Sequence, residues 1–346
     1  MEKSLGQLVK DKRSLSLAGM CKNAGKTTVF NRIVREIDET DIHLGLTSIG
    51  RDGEAVDVVT GTGKPGIYVK EGTIIGTAMG LLNECDITQE ILGKTGIHTP
   101  MGEVILVRAR SDGNVQLAGP STNSQLMEIS RQFKIHGVEK IIIDGAISRK
   151  SLCSTKVAQS VILSTGASCG RNIDLVVKET QFAAKILDLN VTKISFDQLP
   201  NQELDKNASP EFSIWNQYGE LMEIPLEEKG FRRLDHILRN KSMANWKWCF
   251  IPGALTDVLL KPILMSNTNL KNKEFIALDS SKILLSSDCY EKLRMKGGSL
   301  GVFEKTDLLA VTINPFSAYG FHFDKTEFFE KMSEKIKQPV FNVMEV

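Results

Sequence analysis

Gly19-Met20-Cys21-Lys22-Asn23-Ala24-Gly25-Lys26-Thr27-Thr28 is the stretch on which the fold turns, because of what flanks it. Ser14-Leu15-Ser16-Leu17-Ala18 before it reads as a short strand, and after it Val29, Phe30, Ile33, Val34 and Ile37 recur at helical spacing as one apolar stripe. Strand, glycine-bearing turn and amphipathic helix are the unit from which layered α/β proteins are built. Outward from it, residues 43–48, 102–107, 139–143 and 161–164 read as further strands. A helix is expected over 121–135, and another carries Ile173, Val176, Val177, Ile186 and Leu187 on one face. The sequence therefore predicts an α/β protein with a layered, mostly parallel sheet flanked by helices.

The texture changes near residue 190, where Pro200-Asn201-Gln202 and the stretch from Asn207 to Pro210 read as a loop or weak boundary. The expected organisation is a nucleotide-binding core over 1–190 and a C-terminal α/β portion over 210–346. That portion has strands at 248–251, 275–278 and 308–313 and helices after Gly253 and Lys325. It either folds alone or continues the first sheet.

Forty-three Lys and Arg against forty-two Asp and Glu leave no basic excess to grip a phosphate backbone, so nucleic acid is not an expected partner. No apolar run approaches the roughly 18 residues of a membrane span, and Met1-Glu2-Lys3-Ser4 does not open a secretory signal. A cytoplasmic location with no membrane partner is expected. The six cysteines form no Cys-x-x-Cys clip and read as free thiols, and the five histidines form no His-x-x-x-His pair.

Between a strand and a helix, the opening stretch has the composition of a phosphate-binding loop. Such a loop needs successive N–H groups curling inward, a glycine where a side chain would strike the phosphate, a lysine for the β/γ oxygens and a hydroxyl for Mg²⁺. Gly25, Lys26 and Thr27 supply the last three, while Gly19, Lys22, Asn23, Ala24 and Thr28 complete the expected cofactor contacts. Five residues instead of four separate Gly19 from Gly25, so the loop is a variant of the Walker A spacing. Cys21 reads as a small residue filling the turn. Ile141-Ile142-Ile143-Asp144-Gly145 reads as the partner strand, with the Asp144 carboxylate placed for the metal. Arg51-Asp52-Gly53-Glu54, with Asp57 behind, is a candidate switch in which Asp52 faces metal and γ-phosphate; a solvated Asp-Gly turn is the alternative. Lys26, Asp144 and Asp52 are thus the expected catalytic set, and Thr27, Asp144 and Asp52 the expected metal set.

Guanine recognition calls for Asn or Thr, then Lys, any residue and Asp after a strand. Thr192-Lys193-Ile194-Ser195 lacks the acid, and Glu304-Lys305-Thr306-Asp307 fits a hairpin turn, so ATP with Mg²⁺ is favoured over GTP. The sequence holds no His-Glu-x-x-His.

These residues resemble the P-loop NTPase group of dethiobiotin synthetases, cobyrinic acid amidases and the chaperone of methylmalonyl-CoA mutase. A narrower set is similar to the P-loop reactivase subunit encoded with lysine aminomutase: Leu46 to Glu54, Arg110-Ser111-Asp112-Gly113, Leu117 to Ser121, Ile143 to Ala146, Leu163 to Ala167 and Asn314-Pro315-Phe316-Ser317. That resemblance implies a nucleotide-dependent helper of an adenosylcobalamin-dependent aminomutase in lysine or ornithine fermentation, working with a MutS-like ATPase to exchange damaged cofactor. The competing implication is an ATP-dependent small-molecule ligase like dethiobiotin synthetase, or a cofactor-biosynthesis NTPase, with Lys22, Lys64, Lys70 or Arg149 holding the substrate.

Overall fold

A computed structural model describes residues 4–37, 42–49, 66–145, 154–195, 197, 199, 212–223, 234–239 and 243–344. Two compact units divide the chain: Met1–Ala184 with Asp307–Val346, and Lys185–Thr306. The first unit begins with α1 (Leu5–Val9), β1 (Ser14–Gly19), α2 (Lys26–Ile37), β2 (Leu44–Ser48), β3 (Ile67–Val69), β4 (Ile74–Ala78), β5 (Gln89–Thr99), β6 (Gly102–Ala109) and β7 (Gly113–Val115). It continues with α3 (Asn123–Ile135), β8 (Lys140–Asp144), β9 (Ser160–Gly166) and α4 (Ile173–Leu187). The second contains β10 (Ser213–Asn216), α5 (Leu234–Arg239), β11 (Trp246–Phe250), β12 (Leu255–Thr256), α6 (Asp257–Met265), β13 (Glu274–Asp279), β14 (Ile283–Leu284), α7 (Ser287–Met295) and β15 (Ser299–Glu304). The chain then returns to the first unit with β16 (Asp307–Asn314), α8 (Lys325–Lys335) and β17 (Val340–Asn342).

The first unit is built on a nine-stranded sheet in the order β17-β16-β9-β1-β8-β2-β4-β6-β5. Every neighbouring pair from β17 to β4 is parallel, and only β6 and β5 join antiparallel. The sheet is mostly parallel and flanked by helices, as the sequence predicts. Its strand β8 shows how two faces are filled from one apolar run. Ile142 packs with Leu15, Leu17, Val29, Phe30 and Ile33 on the α2 side, while Ile141 and Ile143 pack with Leu126, Ile129 and Phe133 of α3 on the other. A strand covered on both faces must be apolar at successive positions. Phe30 and Phe133 are fully buried, each contributing about 1.5–3 kcal/mol by leaving water.

One buried charge sits in this frame. Lys140, at the start of β8, is 3% exposed, and its ammonium donates to the carbonyls of Val9 (2.5 Å), Lys10 (3.0 Å) and Lys12. These carbonyls lie at and just beyond the end of α1, where the helix itself offers no donor. Burial holds the Lys140 pKa below its ordinary value.

In the second unit β10-β11-β13-β15 form a sheet with β10 antiparallel and the rest parallel. Trp215, Trp248, Phe250, Ile194 and Ile276 form one core cluster, and Trp246 meets Phe275 edge-on at 5.4 Å. The hairpin expected at Glu304–Asp307 does not form. β15 pairs with β13 and β16 pairs with β9, so this turn links strands of different sheets. Among the described residues no helix is long and apolar enough to cross a membrane.

Candidate functional site

Parallel strands deliver their carboxyl ends to one edge, and the register shows that this edge is stepped. β8 ends with Asp144 opposite Leu17, two residues short of the end of β1 at Gly19. On the other side Gly19 lies opposite Ser164, and β9 runs on to Gly166, paired with Asn314 at the end of β16. At about 3.3 Å per residue each step is roughly 6–7 Å. The loop after β1 therefore rises above Asp144 on one side and is walled by Gly166 and Asn314 on the other.

The wall is close. A Cβ on Gly166 would come 2.5 Å from the Asn314 carbonyl oxygen, so only glycine lets the strand tips meet. Met20 N–H donates to the Ser164 carbonyl (2.8 Å), and Thr312 donates to the Ser164 hydroxyl (2.9 Å). The Asn314 Oδ1 accepts from Phe316 N–H at 3.0 Å, which fixes its side chain.

Within the loop, Asn23 (φ 60°) and Gly25 (φ 90°) take left-handed conformations, which turn successive peptide groups inward. A Cβ on Gly25 would press at 3.2 Å on both the Asn314 Cβ and a Val343 methyl. Lys26 opens α2, and its side chain runs back over Gly19, where a Cβ would lie 2.8 Å from its Cδ and 3.0 Å from its Nζ. Among the described residues nothing takes a hydrogen bond or ion pair from that ammonium. The first turn of α2 contains no acidic residue, so the positive end of the helix is not neutralised from within.

Strand parity locates Asp144. Leu15 pairs with Ile142 and Leu17 with Asp144, so the half-buried carboxylate shares the face of Leu15, Leu17 and Ile142, the one α2 covers. Thr27 lies in the first turn of that helix. One carboxylate and one hydroxyl suit Mg²⁺, a hard cation that keeps waters and takes phosphate oxygens. Among the described residues no group of three or more His, Cys, Asp and Glu side chains could hold a metal by itself.

One expectation is overturned here. Cys21 and Cys169 are not free thiols but form a disulfide, with Cα atoms 5.4 Å apart, joining the loop to the turn after β9. Cys85, Cys249 and Cys289 are free, and burial pushes the Cys289 thiol up to about 11.

The structure brings Gly19, Asn23, Ala24, Gly25, Lys26 and Thr27 into one loop and helix start. Ala24 is buried, while Lys22 and Thr28 are exposed. Asp52, with Arg51, Gly53, Glu54 and Asp57, lies outside the described residues, as do Lys64 and Arg149. Lys70 is exposed just after β3. Sequence reasoning gave no role to Gly166, Cys169 or Asn314, although Gly166 and Asn314 stand in quoted motifs.

The second unit has its own open cavity of about 770 Å³, lined in part by Trp246, Asn267, Lys271 and Lys273. Lys273 lies 4.4 Å from the centre of the Trp246 ring and donates to the carbonyls of Ala244 (3.1 Å) and Trp246 (2.5 Å), so its charge is already engaged. The stronger candidate is the loop edge, where a helix start converges with an ammonium that is unengaged among the described residues.

No protein family, curated protein or solved structure matches the chain.

Proposed function

We propose that the first unit binds a purine nucleoside triphosphate, ATP in preference to GTP, together with Mg²⁺. The observation that carries this reading is the Lys26 ammonium, folded back over Gly19 at the start of α2 with no hydrogen-bond or ion-pair partner among the described residues. A cation held over inward-turned amides at a helix start favours a multiply charged anion. Thr27 and Asp144 would hold Mg²⁺, which when bound neutralises developing charge on the β- and γ-phosphates. Lys26 orients the terminal phosphates, and Asn23 and Gly25 set the curl that aims the backbone donors.

On this reading the chain is a cytoplasmic helper of an adenosylcobalamin-dependent aminomutase, acting with a MutS-like ATPase, in line with the motifs from Leu46 to Ser317. Nucleotide binding biases the client-gripping form, and hydrolysis resets it. Moving a client from mostly closed to mostly open takes about 5.5 kcal/mol of differential binding. The test is Lys26→Ala. Removing a charge-assisted contact worth about 1.5–3 kcal/mol lowers ATP affinity some ten- to hundredfold by calorimetry and abolishes recovery of inactivated mutase. Unchanged affinity would remove the nucleotide reading. Normal ATP binding by the wild-type chain with no effect on mutase recovery would remove the client and leave the ligase class standing.

A further inference from the structure

The Cys21–Cys169 bond joins the third residue of the loop to the last residue of the short turn Ala167–Cys169 that follows β9. Both cysteines are partly exposed, so a reductant in solution reaches them. The turn is itself anchored: Ser168 Oγ accepts from Ala318 N–H at 3.1 Å, and the Arg171 guanidinium lies over the Phe321 ring at 5.5 Å. Among the described residues the other tie on this part of the loop is the hydrogen bond from Met20 N–H to the Ser164 carbonyl. From Cys21 to Ala24 the loop is held by the sulfur bridge at one end and by the buried Ala24 at the other.

We infer that this bond is a redox gate on nucleotide binding: oxidised, it holds the loop in the form that receives a triphosphate, and reduced, it releases the loop and weakens binding. The inference rests on the phosphate-loop reading above and adds a regulator to that site. The direction follows from the structure, in which the left-handed Asn23 and Gly25 and the folded-back Lys26 coexist with the closed bridge. A preformed loop binds more tightly because less chain entropy is lost on binding.

The position also favours exchange chemistry. Both sulfurs belong to partly exposed residues, and access is what thiol–disulfide exchange requires. The reductant is a dithiol: one of its thiolates attacks a sulfur of the bridge, a cysteine leaves as thiolate and takes a proton, and the second thiol then closes on the mixed disulfide. The dithiol leaves as a cyclic disulfide, having supplied two electrons and two protons to two cysteines. A small-molecule disulfide runs the same exchange backwards. In a reducing compartment, disulfides that persist are mostly sensing or catalytic ones.

The experiment uses the full chain, equilibrated with oxidised or with reduced dithiothreitol. The state of Cys21 and Cys169 is read by alkylation and peptide mapping, and Mg²⁺–ATP affinity by calorimetry. The expected result is at least about tenfold weaker affinity in the reduced chain, restored on reoxidation, with C21S/C169S binding like the reduced chain in both buffers. Equal affinity in both states, or tighter binding when reduced, overturns the gate while leaving the nucleotide site intact. Absence of ATP binding in either state overturns the phosphate-loop reading and the gate with it. Because the comparison is made on the wild-type chain, misfolding of the double variant does not remove the test.

Discussion

Replacing Gly25 by Ala tests whether the loop is pressed against the end of the C-terminal strands. Two costs add. The first is the backbone: at φ 90° an L-residue lies in the left-handed region, at about 1–2 kcal/mol. The second is contact, since the new methyl would sit 3.2 Å from both the Asn314 Cβ and a Val343 methyl, an overpacking worth about 1–2 kcal/mol if neither yields. Reduced freedom in the unfolded chain offsets about 0.5 kcal/mol, leaving a net loss of roughly 1.5–3.5 kcal/mol. Gly72 provides the control, because its φ of 93° is nearly the same and nothing lies within 4 Å of its would-be Cβ. Gly72→Ala carries the backbone cost alone. The assay is denaturant unfolding followed by far-ultraviolet circular dichroism, with ATP titration alongside. All three tryptophans lie in the second unit, so their fluorescence reports a different part of the chain. Gly25→Ala should be less stable than Gly72→Ala by about 1 kcal/mol or more, and Val343→Ala in the Gly25→Ala background should recover part of that difference. If the two glycine variants lose the same stability, the packing of loop against β16 and β17 is refuted.

Lys140→Met leaves the carbonyls of Val9, Lys10 and Lys12 without their shared donor while relieving a buried charge, for a net loss of about 2–4 kcal/mol in denaturant stability; a loss below about 0.5 kcal/mol would show that this ammonium is not what terminates α1. Lys273 gives a pH dependence. Burial pushes its pKa down to about 8 from an ordinary 10.5, so below pH 8 the folded state carries a protonated amine it disfavours. Between about 8 and 10.5 the unfolded chain holds the extra proton, so stability rises with pH across that window and is flat above it. Tryptophan-monitored unfolding at about pH 7 and pH 10 should show this gain in wild type and a smaller one in Lys273→Met; parallel profiles would refute it.

The sequence made the local units legible because each carries its own period. The run from Val29 to Ile37 repeats at helical spacing and becomes α2, and the run from Lys140 to Asp144 becomes the strand beside β1. β5 had no such signal. It is an edge strand in which, of eleven residues, only Ile97 is buried, and its register with β6 shifts twice, so no alternation survives to be read. The run 308–313 was recognisable as a strand, but its sheet was not. A parallel partner can lie across any length of intervening chain, and here the whole second unit stands between β9 and β16.

The same reasoning separates the two halves of the candidate site. Gly25, Lys26 and Thr27 act through a turn and a helix start, whose geometry is set within a few residues and so is written locally. Gly166, Asn314 and Cys169 matter only through register. Gly166 must be glycine because Asn314 lies directly opposite it, and Cys169 can pair with Cys21 because β9 and β1 are neighbours with Gly19 level with Ser164. A shift of one residue between β9 and β16 would put a different residue against Gly166 and reverse which side chains face the loop. Six cysteines with no short spacing leave their pairing undetermined until such neighbours are known. A loop that meets its wall from β16 only after the second unit has been threaded is therefore half-specified by its motif, and its shape depends on strands nearly the whole chain away.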